Sequence, residues 1–238
     1  MSTTGSTLSA VEVHYPDSDG RPMSDNTLQW QWMVTIKENL EAIFRDDPDV
    51  FVAGDLLWYP VEGSNTIRIG PDVLVAFGRP KGHRGSYMQW REGGIPPQVV
   101  FEILSPGNRL MEMMNKFRFY EQHGVEEYYV YDPETREVAG SVREGDRLIP
   151  IPEMNGWISP RLGIRFEAGS GELRLFRPDG QPFVTFVELT RRVEAEQERA
   201  EAERQRAEAE RQRAEAERQR AERLAEQLRA LGIEPSAS

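Results

Sequence analysis

Beyond Thr190 the chain has essentially one conformational option. The heptapeptide EAERQRA occurs three times without change, at 201–207, 208–214 and 215–221, and neither Gly nor Pro interrupts Arg191 to Leu231. Nearly every residue in that stretch is a good helix former, so 191–231 is expected to be one long helix, ended by Gly232 and Pro235, with 232–238 disordered. A seam at alternating spacings of four and three runs from Leu189 and Val193 to Leu224, Leu228 and Leu231. A period of seven implies a left-handed supercoil if helices associate. The middle of the seam alternates Ala with Glu, however, and such knobs bury little area. Two readings therefore stand: a solvated, charge-laced helix supported by local Glu–Arg pairs, and a weak coiled coil joining two copies as a homodimer.

The remainder, of fewer than 200 residues, suits one domain of ordinary size. With no Cys, disulfide staples, thiol catalysis and zinc ribbons are excluded. Three His (His14, His83, His123) leave little material for a His-rich metal site or a Ser-His-Asp triad. No apolar run approaches the roughly 20 residues of a membrane span. Residues 1–20 carry neither the basic flank nor the apolar core of a secretory signal. A soluble, cytoplasmic protein is expected. Residues 191–231 hold 11 Arg and 11 Glu, so the net charge of −11 lies almost wholly in the globular part. That part lacks the basic footprint of a strong, non-specific nucleic-acid binder.

Residues 1–24 read as an irregular arm and 25–190 as a mixed α/β domain with a central sheet flanked by helices. A first helix is expected from Ser24–Asp25, either of which could cap it. Its apolar face holds Leu28, Trp32, Ile36, Leu40 and Phe44, with Met33 and Ile43 alongside, and Asp46-Asp47-Pro48 stops it. Strand-like segments follow at Val50–Ala53, Leu56–Tyr59, Thr66–Ile69, Val73–Phe77 and Val99–Leu104. Residues 79–98 read as a long polar loop. A second helix is expected over Arg109–His123, with Leu110, Met113, Met114, Phe117 and Tyr120 on its apolar face and Gly124 just past its end. A strand over Glu127–Tyr131 and short hairpins over 134–188 complete the domain.

Chemistry concentrates in three residues. Glu102 interrupts the apolar run Val99-Val100-Phe101-Glu102-Ile103-Leu104, the pattern of a strand buried on both faces. A buried carboxylate needs a cation: a metal, a Lys or an Arg. Asp72 stands at the start of the apolar run Val73–Phe77 and would meet Glu102 if the two strands are neighbours. Paired carboxylates suit Mg²⁺, which takes oxygen ligands and keeps several waters. Lys116 lies at the border of the second helix's apolar face, where a long stem can carry an ammonium to the sheet edge. Each has a plainer reading: Asp72 as turn chemistry, Lys116 as a surface lysine, and Glu102 with Lys116 as an inert buried ion pair.

Pro71-Asp72 followed by a strand carrying Glu102 resembles the PD-(D/E)xK nuclease superfamily. The longer string is Val100-Phe101-Glu102-Ile103-Leu104-Ser105-Pro106, Lys116, Tyr120, Gly124-Val125-Glu126-Glu127-Tyr128 and Tyr131-Asp132-Pro133. It is similar to the Uma-two family of restriction endonucleases, over roughly residues 15–190. The third position of (D/E)xK is Leu104 here, and Lys116 from the following helix is the matching lysine. Leu104 shares Glu102's side of the strand, so a helix returning over that face could fill the vacancy.

The resemblance implies a restriction-endonuclease-like fold and a DNA endonuclease. Asp72, Glu102 and Lys116 would be catalytic, and Asp72 and Glu102 would hold one or two Mg²⁺ (or Mn²⁺). Ser105 would support the shell and Arg109 could contact a phosphate. Glu38 is the first-helix acid that some superfamily members use, though its helical phase sets it opposite the apolar stripe. The acidic surface implies that DNA binding is weak or assisted by a partner. The alternative is a catalytically inactive, nuclease-like interaction module acting through its C-terminal helix.

Overall fold

The computed structural model describes residues 13–18, 20, 24, 26–107, 110–169 and 171–230. Most of the N-terminal arm, Asp25, Arg109 and the 232–238 tail, with the helix-ending Gly232 and Pro235, lie outside the described residues. The contact pattern divides the chain into two units, Met1–Val184 and Thr185–Ser238.

The first unit opens with helix α1 (Thr27–Ile43), and its cap is Asn26 rather than Ser24 or Asp25. The Asn26 side chain accepts a hydrogen bond from the Gln29 N–H at 2.8 Å, satisfying a backbone donor that a helix start leaves orphaned. The stripe buried along α1 is Gln29, Met33, Ile36 and Leu40, joined by Asn39. It shares Ile36 and Leu40 with the expected stripe, but its first half runs through Met33 rather than Trp32 and begins with a polar side chain, Gln29, rather than Leu28.

Strands β1 (Val50–Gly54), β2 (Trp58–Tyr59), β3 (Val73–Phe77), β4 (Tyr87–Met88) and β5 (Val99–Ile103) follow. Helix α2 (Leu110–Gln122) leads to β6 (Glu127–Asp132), β7 (Glu137–Glu144) and β8 (Arg147–Pro150), then β9 (Arg165–Glu167) and β10 (Arg174–Phe176). Six strands form the main sheet in the order β1-β3-β5-β6-β7-β8. Only β5 and β6 run parallel in it. A parallel pair needs a crossover, and α2 supplies it. The main sheet is therefore mixed, as expected. Thr66–Ile69 forms no strand; Ile69 makes a single antiparallel bridge to Trp58. The 79–98 segment is more ordered than a polar loop, with β4 and a 3₁₀ turn at Gln89–Glu92. Arg84 anchors it by an ion pair to Glu92 at 2.6 Å, with its guanidinium over the Phe51 ring.

Period-two alternation sorts the sheet into two apolar faces. Val73, Val75, Val99, Phe101 and Ile103 pack with Met33, Ile36 and Leu40 of α1. Leu74, Ala76, Val100 and Tyr128 pack with Tyr120 of α2. The α2 face is narrower than expected. Tyr120 is its one buried residue, while Leu110 and Met114 are exposed. Residues at Lys116 and Tyr120 turn inward together, which leaves Met114, about 120° round the helix from Tyr120, outside. Gly124 ends α2 with φ of +93°, a conformation that favours glycine. Arg143 then donates to the Val125 and Glu121 carbonyls at 2.7 and 2.6 Å, tying the helix end to β7.

In the second unit, helix α3 (Phe186–Ala230) starts ahead of Arg191. Thr185 and Glu188 cap it reciprocally: Glu188 N–H donates to Thr185 Oγ1 and Thr185 N–H to a Glu188 carboxylate oxygen. None of its described residues is buried. Among the described residues no helix is long and apolar enough to cross a membrane.

Because Asn26 fixes the first turn of α1, Asn26→Ala is expected to cost about 1 kcal/mol. A lowered Tm in metal-free buffer would show it, and an unchanged Tm would show that the cap is dispensable.

Candidate active site

Strands β3 and β5 are antiparallel with Val73 opposite Phe101 and Leu74 opposite Val100. Continuing that register one step places Asp72 opposite Glu102, at the edge where β5 ends. Alternation puts Glu102 on the α2 side of the sheet with Val100 and Leu74. It is 2% exposed. Such a carboxylate requires partners, and α2 provides two. Lys116 Nζ donates to Glu102 Oε2 at 2.7 Å. The Tyr120 hydroxyl donates to Glu102 Oε1. Lys116 and Tyr120 are four apart on one helix, so the same face delivers both. Both oxygens of Glu102 are thus engaged.

Asp72 is held from the other direction. Its Oδ2 accepts from the Ile103 N–H at 2.6 Å. Gln29 of α1 hydrogen-bonds to the same carboxyl group and donates through Nε2 to the Ile103 carbonyl at 2.9 Å. One amide side chain therefore ties the first turn of α1 to both acid-bearing strands. Burial is the largest influence on Asp72, and with the neighbouring Glu102 charge it pushes the carboxyl up to about 8. Lys116, the Ile103 N–H and Gln29 pull the other way. For Lys116, burial alone would lower the ammonium's pKa, but the charges of Glu102 and Asp72 outweigh it and hold the value raised. Burial also raises the Tyr120 phenol well above its ordinary value, with the Glu102 charge adding to it, so Tyr120 stays a donor.

The structure thus brings Asp72, Glu102 and Lys116 together. Ser105 is buried in the turn after β5. Glu38 is elsewhere: it is largely exposed and pairs with Lys37, as its helical phase requires. The residue that α1 contributes is Gln29, nine positions earlier. Gln29 and Tyr120 were not legible as site residues. The available signals were a glutamine three residues after a capping Asn26 and a tyrosine four after Lys116. Tyr128 lies beside Tyr120, ring centroids 5.2 Å apart, with a buried hydroxyl that finds no partner among the described residues.

A third buried acid, Glu127, lies on the opposite sheet face. It accepts from the Arg161 N–H at 2.6 Å, the Tyr129 hydroxyl at 2.9 Å and the Ser159 hydroxyl. Burial raises its pKa. These neutral donors pin the 159–161 loop to β6.

The Uma2 family model, described as "Putative restriction endonuclease", matches residues 13–169, more than half of the chain. The chain belongs to the Uma2 family. No curated protein matches it. Among solved structures it is similar to the crystal structure of "a putative nuclease belonging to DUF820" from Anabaena variabilis ATCC 29413. That likeness has 14% identity and a TM-score of 0.43 and covers 60% of this chain and 78% of the other. The matched region of the Uma2 family spans all of Gln29, Asp72, Glu102, Lys116 and Tyr120.

The donor set of this site fits a divalent cation. Asp72 and Glu102 offer only oxygen. Mg²⁺ characteristically takes one or two carboxylates, leaving its other positions to water and phosphate. Among the described residues no group of three or more His, Cys, Asp or Glu is placed to enclose a metal. An all-protein cage of the calcium or zinc type is therefore a poorer match.

The folded protein holds the Asp72 proton more tightly than the unfolded chain, whose carboxyl titrates near 3.8. Stability from this group is full below about pH 4 and is lost as the pH rises to about 8. In metal-free buffer Asp72→Asn is expected to raise Tm by an amount that grows across that window and then levels off. A gain independent of pH would show that Asp72 ionises normally.

Proposed function

We propose that this protein is a Mg²⁺-dependent (or Mn²⁺-dependent) endonuclease that hydrolyses DNA phosphodiester bonds. The observation that carries the reading is the convergence of two carboxylates and one ammonium from β3, β5 and α2, in a chain of the Uma2 family. Asp72 and Glu102 would hold the cation. When bound, it would supply an activated water and charge stabilisation at the phosphate. The Lys116 ammonium would orient that water or neutralise charge developing on the phosphate. Gln29 and the Ile103 N–H would keep the Asp72 carboxylate aimed.

The substrate must approach an acidic domain. Residues 1–190 carry 18 basic against 28 acidic side chains, so long-range attraction of DNA is absent. The reading therefore implies weak intrinsic DNA binding, helped by the divalent cation or by a partner. A second reading has its own support. Glu102 with both oxygens satisfied is also what an inert ion pair looks like, and α3 has no buried residue. On that reading the domain is an interaction module acting through α3.

Full-length protein is expected to nick or cleave DNA in Mg²⁺ or Mn²⁺, with activity lost in EDTA. Asp72→Ala, Glu102→Ala and Lys116→Ala should each lower the rate by about a hundredfold or more. Inert protein across single- and double-stranded substrates, with either metal, would overturn the endonuclease and favour the interaction module.

A further inference from the structure

Each Glu102 oxygen already has a donor within hydrogen-bond reach, so a cation reaching either oxygen must share it with that donor or displace it. The two donors are not equally able to yield. Tyr120 is fully buried and its ring is fixed on several sides: parallel to Trp58, edge-on to Phe119, tilted against Tyr128. Moving its hydroxyl would mean repacking that cluster. Lys116 sits at the open side, its side chain 18% exposed, on a flexible four-carbon stem. It also carries the charge that a divalent cation would replace. Lys116 interacts electrostatically with Asp72 as well as with Glu102, so its ammonium serves both acids.

We infer that Tyr120 is a positioning residue that permanently holds one oxygen of Glu102, and that Lys116 is an exchangeable occupant of the other, competing with the divalent cation for the acid pair. The inference rests on the metal-dependent reading of the site and deepens it. Without metal, Lys116 meets the Glu102 charge. Once displaced from Oε2, it is free at the open side of the site, where a phosphate would arrive. The same side chain thus has two stations, and metal binding selects between them.

Two further features agree. Lys116 and Tyr120 share one helix face, so the fixed and the exchangeable donor approach Glu102 side by side rather than from opposing elements. The chain has only three lysines, Lys37, Lys81 and Lys116. Lys37 pairs with Glu38 and Glu41, and Lys81 donates to the Val50 carbonyl. No other lysine serves the acid pair.

The test is Mn²⁺ binding to the full-length protein without DNA, followed by titration calorimetry. An opposite charge alters a neighbouring carboxylate's affinity for a proton by about tenfold to a thousandfold, and a divalent cation feels the same field. Lys116→Met is therefore expected to bind Mn²⁺ at least about tenfold more tightly than the parent. Tyr120→Phe is expected to bind it about tenfold more weakly. A hydroxyl with a purely structural role would lower Tm and leave Mn²⁺ affinity unchanged. Should Lys116→Met fold poorly, ¹³Cε-lysine NMR of the parent gives the same answer: the Lys116 signal should shift on Mg²⁺ addition while those of Lys37 and Lys81 stay. A parent that binds Mn²⁺ with a stationary Lys116 signal, or a Lys116→Met that binds no tighter, overturns the competition and leaves the endonuclease reading intact. Absence of Mn²⁺ binding in the parent and in folded Lys116→Met overturns both.

Discussion

A carboxylate buried in the middle of a sheet is costly unless its charge is met, and the first unit is arranged around meeting it at Glu102. The strand needs Lys116 and Tyr120 on its α2 side. That requirement fixes the face of α2, and the face of α2 fixes how the crossover from β5 to β6 lies on the sheet. Asp72 adds a second acid opposite the first, and Gln29 draws α1 to the same edge from the far side. Two helices on two faces thus converge on one pair of cross-strand neighbours. Replacing the constellation by apolar residues would be the simpler way to build a stable sheet. Its presence points to a use for the charges.

Much of this was readable in the letters, for a definite reason. A charge within an apolar run breaks the pattern whatever the register, so Glu102 stood out. Val73–Phe77 and Val99–Leu104 were legible as strands because continuous apolar runs of five or six residues bounded by turns have few other uses. What stayed hidden depends on pairing. Nothing in the sequence states that Val73 faces Phe101, and so nothing states that Asp72 faces Glu102. Gln29 is hidden because an apolar stripe through Leu28 and Trp32 is a stronger pattern than one beginning with an amide. The stripe that wins is set by the cap at Asn26 and the bond to Ile103. In α2, Leu110 and Met114 count as apolar, yet the helix turns toward the sheet the residues that Glu102 requires. The early start of α3 follows from the Thr185–Glu188 capping box, which lies ahead of the charged stretch that begins at Arg191.

Charge shapes the functional account as much as geometry does. The acidic domain and the neutral α3 give DNA little long-range reason to approach. The site would then work on DNA brought to it, or on DNA held through the cation itself. On the competition inferred above, the ammonium that would assist the chemistry would also close the acid pair before metal arrives, which would link the two roles in one side chain.

The central claim is that Asp72 and Glu102 share one divalent cation. The most direct measurement is a crystal structure of the protein soaked in Mn²⁺, read from its anomalous difference map. The account requires a single strong peak within coordination distance of both carboxylates, with Tyr120 still on Glu102. Well-diffracting crystals with no peak there, or a peak on surface acids alone, would contradict it.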